Sequence, residues 1–163
     1  MSSVLASVVA VVGTLLGVYL TSMAQRKTLE KNLTEARTEK RRQEFADALA
    51  AYASACTVLR RAEFQRARAR LESADEHEQM QAKQETYRLR AEAWSAYYLV
   101  RLLAAPASDG ELIRDAKAVI EHSRSITAKP TTMREVHQYN DAATEALDKV
   151  IEKANQRLQG ASF

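Results

Sequence analysis

Apolar residues are laid out in two ways along this chain. Near the start they form an almost continuous run, Val4-Leu5-Ala6-Ser7-Val8-Val9-Ala10-Val11-Val12-Gly13-Thr14-Leu15-Leu16-Gly17-Val18-Tyr19-Leu20, and no side chain before Arg26 is charged. Beyond that point they recur singly, three or four residues apart, among charged and alanine-rich stretches. The run has the length a helix needs to cross a bilayer core. The later spacing is that of amphipathic helices. Together the two patterns predict an all-α chain: a single N-terminal transmembrane helix, continuing into a helical stalk and then an antiparallel hairpin or four-helix bundle.

The anchor is assigned to residues 1–25. Its Val and Leu residues each favour insertion by roughly 0.3–0.6 kcal/mol near the bilayer centre, whereas one Lys would cost about 3 kcal/mol. Ser22-Met23-Ala24 has the small-x-small form of a signal-peptide cleavage site. No Lys or Arg precedes the apolar run, however, and the run is longer than a signal-peptide core. Arg26, Lys27 and Lys31 follow the span and only the α-amino group precedes it. The positive-inside bias then puts the N-terminus outside the cell membrane and the rest of the chain in the cytoplasm. Tyr19 sits where an interfacial aromatic is expected on that side. Ser3, Ala6, Ala10, Gly13 and Gly17 recur at alternating three and four, so one face of the span is built of small residues on which two helices could pair closely.

Residues 26–44 are mostly polar, with only Leu29, Leu33 and Ala36 at helical spacing. They read as a stalk about 28 Å long if fully helical. Residues 45–163 read as the bundle, with helices over about 45–72, 76–105, 110–127 and 132–159. Phe45, Leu49, Tyr52, Cys56 and Leu59 give the first helix an a/d-like stripe. Met80, Tyr87, Ala91, Trp94, Tyr98 and Leu102 are the expected inner side of the second. An antiparallel hairpin about residues 73–75 then sets Leu59 level with Leu89, Leu49 with Leu99, and Phe45 with Leu103, and brings Arg70 near Glu78. Leu112, Ile113, Ala116, Val119, Ile120 and Ile126 mark the third helix. Met133, Val136, Ala143, Leu147, Val150, Ile151, Ala154 and Leu158 mark the fourth. Ser73 with Glu76, Ser108 with Glu111, and Thr132 with Glu135 have capping-box spacing. The only two prolines, Pro106 and Pro130, sit at the breaks between helices.

The chemistry-bearing residues are sparse. His77, His122 and His137 have no metal-ligand spacing. Cys56 lies on the apolar stripe and reads as a small core residue. As the only cysteine it can form no intramolecular disulfide, which suits a reducing compartment. No Gly-rich loop could cradle a phosphate. Catalytic, cofactor and metal sites are therefore not expected, and the chain reads as a non-enzyme.

Two clusters remain as contact candidates. Arg60, Arg61, Arg66, Arg68 and Arg70 could meet a partner or a polyanion, but helical spacing spreads them around the helix and Glu63 interrupts them. A formal net charge of only +3 also argues against a dedicated nucleic-acid binder. Trp94 and Tyr97 are a candidate hot spot, with Tyr97 expected to turn away from the face shared by Trp94 and Tyr98.

The leading functional expectation is a membrane-anchored cytoplasmic scaffold or adaptor that holds an unidentified protein partner at a fixed distance from the bilayer and assembles as a homo-oligomer. The first alternative is an envelope-spanning anchored coiled-coil protein of lysis or division type, its bundle outside the cytoplasm. The second is a membrane-tethered nucleic-acid-binding or DNA-transfer accessory protein acting through the Arg60–Arg70 segment.

Overall fold

The computed structural model describes the backbone of residues 2–72, 75–105 and 108–160, and the side chains of these from Thr28 onward together with Gln25. Four helices account for it: α1 Ser2–Leu71, α2 Glu76–Leu103, α3 Gly110–Ala128 and α4 Met133–Gly160. There is no strand among the described residues. Two units are distinguished, Met1–Arg41 and Arg42–Phe163.

In the first unit, the described side chains of α1 lie in solvent, including Leu29 and Leu33. Polar pairs one turn apart line this stretch. Thr34 Oγ1 donates to the Glu30 carbonyl at 2.8 Å, Thr38 Oγ1 donates to the Thr34 carbonyl at 2.9 Å, and Lys31 lies 3.7 Å from Glu35. No helix among the described residues is long and apolar enough to cross a membrane. The span expected over residues 1–25, with its face of Ser3, Ala6, Ala10, Gly13 and Gly17, falls on side chains outside the described ones.

The second unit is an up-down-up-down bundle of the Arg42–Leu71 part of α1 with α2, α3 and α4. Its directions follow from cross-helix contacts. Tyr52 donates to the Ala116 carbonyl at 2.6 Å and Thr127 Oγ1 donates to the Glu63 carbonyl at 3.1 Å, the same sequence offset of 64, so α1 and α3 are parallel. Glu63 pairs with Arg90 while Arg66 lies over Tyr87, so α2 is antiparallel to α1. Arg60 meets Asn140 and Phe64 meets His137, so α4 is antiparallel to α1 as well.

The α1 stripe is buried as its spacing requires, from Phe45 through Leu49, Tyr52 and Cys56 to Leu59. It packs against Leu112, Ala116, Val119 and Ile120 of α3 and Leu147, Val150 and Ala154 of α4. A second, smaller cluster joins Ala67, Ile126, Val136 and Ala143 at the far end of the bundle.

Helix α2 differs from expectation. Its inner face is Thr86, Leu89, Ala93, Tyr97 and Val100. Met80, Tyr87, Ala91 and Tyr98 are exposed, Leu102 is 82% exposed, and Trp94 is half-buried. Apolar residues occupy both faces of this helix, so periodicity alone cannot choose between them. The inner face carries small Ala93 and Thr86, which permit close approach, and it aims Arg90 at Glu63.

The helix starts use one reciprocal capping box as expected. Glu135 N donates to Thr132 Oγ1 at 3.3 Å, and Thr132 N donates to Glu135 Oε2 at 3.3 Å. The α2 cap is Asp75, which accepts from Glu78 N at 2.8 Å; Ser73 lies outside the described residues. At α3 the expected Ser108 cap is displaced by Asp109, whose carboxylate instead accepts from Ala105 N at 2.7 Å, Ser108 Oγ at 3.1 Å and Arg157 Nε at 2.7 Å. Burial alone would raise the Asp109 pKa; these donors outweigh it and hold the group below its ordinary value of 3.8.

A depressed folded-state pKa stabilises the fold above the ordinary value, and that stabilisation is lost as pH falls through the folded value. Asp109→Asn is therefore expected to lower stability at pH 7 by about 1–3 kcal/mol, measured by chemical denaturation. The gap between variant and wild type should close as pH falls below 3.8.

Candidate functional site

A polar layer crosses the bundle between the two apolar clusters. Its centre is Glu63, which is fully buried. The Glu63 carboxylate accepts from Arg90 Nη2 of α2 and from Thr127 Oγ1 of α3. Nearby, Arg60 Nη1 reaches Asn140 of α4 at 2.7 Å. A charge in this position is destabilising unless paired and fully hydrogen-bonded. Glu63 could have been found from sequence, because the α1 stripe at 56 and 59 continues at 63 and 67. An acid in that register is a buried acid, not an interruption of a basic surface.

Beside this layer the ends of three helices enclose a groove of about 600 Å³. Arg66 and Arg70 reach it from α1, Lys83, Tyr87 and Arg90 from α2, and Arg124 from α3, with Glu76 as its one acidic lining residue. Arg66 and Arg90 each place a guanidinium 5.5 Å from the centre of the Tyr87 ring. Arg70 donates to the Thr127 carbonyl at 2.8 Å and the Pro130 carbonyl at 2.6 Å, closing the C-terminal end of α3. No ion pair between Arg70 and Glu78 is among the described contacts.

The arginine cluster is thus divided. Arg66 and Arg70 enter the groove. Arg60 faces α4, Arg68 forms a one-turn pair with Glu72 at 2.8 Å, and Arg61 is exposed. Sequence reasoning missed Lys83, Arg90 and Arg124, which lie far from the arginine run in sequence and join it only through the fold.

The aromatic group on α2 is also divided. Tyr97 is buried at 4% exposure and Tyr98 is the outward ring at 52%. Trp94 meets Tyr97 edge-on at 5.4 Å and stacks on Tyr98 at 5.9 Å. With Leu99, Leu102 and Leu103 exposed alongside, the C-terminal half of α2 presents an apolar patch headed by Trp94 and Tyr98.

The remaining candidates are accounted for by packing or solvent. His77 bonds Gln81 at 2.8 Å, His137 lies edge-on to Phe64, and His122 is exposed. Among the described residues, no three His, Cys, Asp or Glu side chains gather to hold a metal. Burial pushes the Cys56 thiol up to about 11, so it stays protonated at neutral pH. Burial likewise raises the neighbouring Tyr52 hydroxyl, which is fixed on the Ala116 carbonyl. Neither is an activated nucleophile.

Residues 46–158 match the family described as KilB plasmid transfer protein. The chain belongs to the KilB family. No curated protein and no solved structure matches it. The KilB match begins in α1 beside Phe45 and ends in α4 at Leu158, so it takes in the four-helix bundle with its polar layer, basic groove and aromatic patch. The small-residue face and the polar stretch before residue 46 lie outside it.

Arg70 is expected to be structural as well as basic in this KilB bundle. Arg70→Ala removes both donors at the end of α3 and should destabilise the protein by about 1–3 kcal/mol in denaturant titrations. Arg61→Ala, at an exposed position, should change stability by less than about 0.5 kcal/mol.

Proposed function

We propose that this KilB-family chain is a non-enzymatic accessory protein of plasmid transfer. Its bundle serves as a scaffold that holds a protein component of the transfer process at the cell membrane. The observation that carries this reading is the family match, which covers the bundle. The exposed patch of Trp94, Tyr98, Leu99, Leu102 and Leu103 supports a scaffold role, because large apolar side chains grouped in solvent are characteristic of protein contact surfaces.

Anchoring belongs to the same proposal. The uncharged run before Arg26 serves as one membrane span, with the N-terminus outside and the bundle in the cytoplasm, as the following Arg26, Lys27 and Lys31 favour. Gly13, Gly17 and the small residues in register with them provide the face for self-association within the bilayer.

Nucleic-acid contact is the second reading, favoured by the basic groove around Tyr87. It is compatible with the first, because the groove uses the N-terminal half of α2 and the patch uses the C-terminal half.

The test is plasmid transfer frequency in matings. A donor lacking the chain should transfer at least tenfold less, and wild-type chain should restore transfer. Tyr98→Ser with Leu102→Ser changes exposed positions only, so the protein should keep its thermal stability while failing to restore transfer. Full restoration by that double variant would remove the patch from the function. Normal transfer without the chain would remove the functional reading altogether.

A further inference from the structure

We infer that the groove between α1, α2 and α3 binds the phosphate backbone of single-stranded nucleic acid. The inference rests on the plasmid-transfer reading for its choice of polyanion, and on the groove itself for the chemistry.

The charge balance favours an anion. Of the five cations lining the groove, Arg90 is matched by Glu63 and Arg124 by Glu121 at 2.9 Å. Arg66, Arg70 and Lys83 appear in no described ion pair, and Glu76 is the only carboxylate among the lining residues. Arg70 spends two N–H groups on backbone carbonyls, which fixes its guanidinium without neutralising it. Arg66 is held over Tyr87 in the same way by a ring rather than an acid. Arg66 and Arg70 are therefore kept in place without a described carboxylate partner, and Lys83 adds an exposed charge beside them, a costly arrangement for surface residues that serve only the fold.

The shape favours a single strand. The cations come from three helices around a recess, so a flexible backbone can enter where a duplex, a wide convex rod, would touch only the rim. Arg66 and Arg70 are one turn apart, so the two side chains leave α1 about 6 Å apart along its axis. Half-exposed Tyr87, one turn along α2 from Lys83 and in contact with Arg66, supplies an aromatic surface beside the strand, the usual partner of a basic groove in sequence-independent single-strand binding. A lipid surface would instead be met by cations spread over one flat or convex face, and the exposed face of α2 next to the groove carries Glu85 and Glu92 around Arg88.

The test uses the purified full chain in detergent and a fluorescent single-stranded oligonucleotide of about 20 nucleotides, followed by anisotropy. Three phosphate contacts give a salt slope of about −2, so binding should weaken about 20-fold between 50 and 200 mM NaCl. Arg66→Gln with Lys83→Gln should weaken binding at least tenfold at 50 mM NaCl and flatten the slope to about −0.7. Lys83→Glu alone, at an exposed position, should weaken it in the same sense, and keeps the test valid if the double variant folds poorly. Arg61→Gln, exposed and outside the groove, should bind as wild type.

Absence of binding by wild type, or equal binding by wild type and both groove variants, overturns the proposal. So does tighter binding to duplex of the same sequence. Groove-dependent binding to phosphatidylglycerol vesicles without binding to the oligonucleotide also overturns it and assigns the groove to lipid. Transfer by a donor lacking the chain is scored separately, so loss of the functional reading is distinguished from loss of the groove.

Discussion

The bundle is organised around one buried carboxylate. Glu63 is fully removed from solvent, in the polar layer between two apolar clusters. Removing such a group from water without partners is prohibitive, so the neighbouring helices must supply donors at fixed positions. Arg90 does so from α2 and Thr127 from α3. Each donor fixes a rotation and a register. Apolar packing tolerates many near-equivalent arrangements, whereas a buried ion pair tolerates few, and this helps to select one among the alternatives that two apolar faces on α2 leave open.

The same constraint explains what sequence could and could not reveal. All-α architecture was legible, because four amphipathic stretches are separated by breaks that hold both prolines, and α1, α3 and α4 each have one dominant apolar face. Helix α2 does not. Its Tyr87-Trp94-Tyr98 stripe is larger and more aromatic than the Thr86-Leu89-Ala93-Tyr97 stripe that is actually buried. Size ranked the faces in the wrong order, because the core at α2 needed small residues and an arginine aimed at Glu63. The caps show a similar limit. Thr132 and Glu135 form a full box, but at α3 the Asp109 carboxylate is drawn into bonds with Ala105, Ser108 and Arg157, a partner 48 residues away. The basic groove was only half legible for the same reason, since Lys83, Arg90 and Arg124 join Arg66 and Arg70 through tertiary contact alone.

The mis-ranked face also gives α2 its functional interest. Because the ion pair turns the small face inward, the aromatic face is left outward. The N-terminal half of the helix then borders a basic groove, and the C-terminal half displays Trp94, Tyr98 and Leu102. Both surfaces lie within the segment that matches the KilB plasmid transfer family.

A double-mutant cycle on Glu63 and Arg90, read by urea denaturation of the full chain in detergent, tests the organising role of the buried carboxylate most directly. Glu63→Gln and Arg90→Gln should each be strongly destabilising, by about 3 kcal/mol or more. The two together should cost less than the sum, with a coupling energy of at least about 1 kcal/mol. Single variants within about 0.5 kcal/mol of wild type, or strictly additive effects, would contradict a bundle whose register is set by this pair.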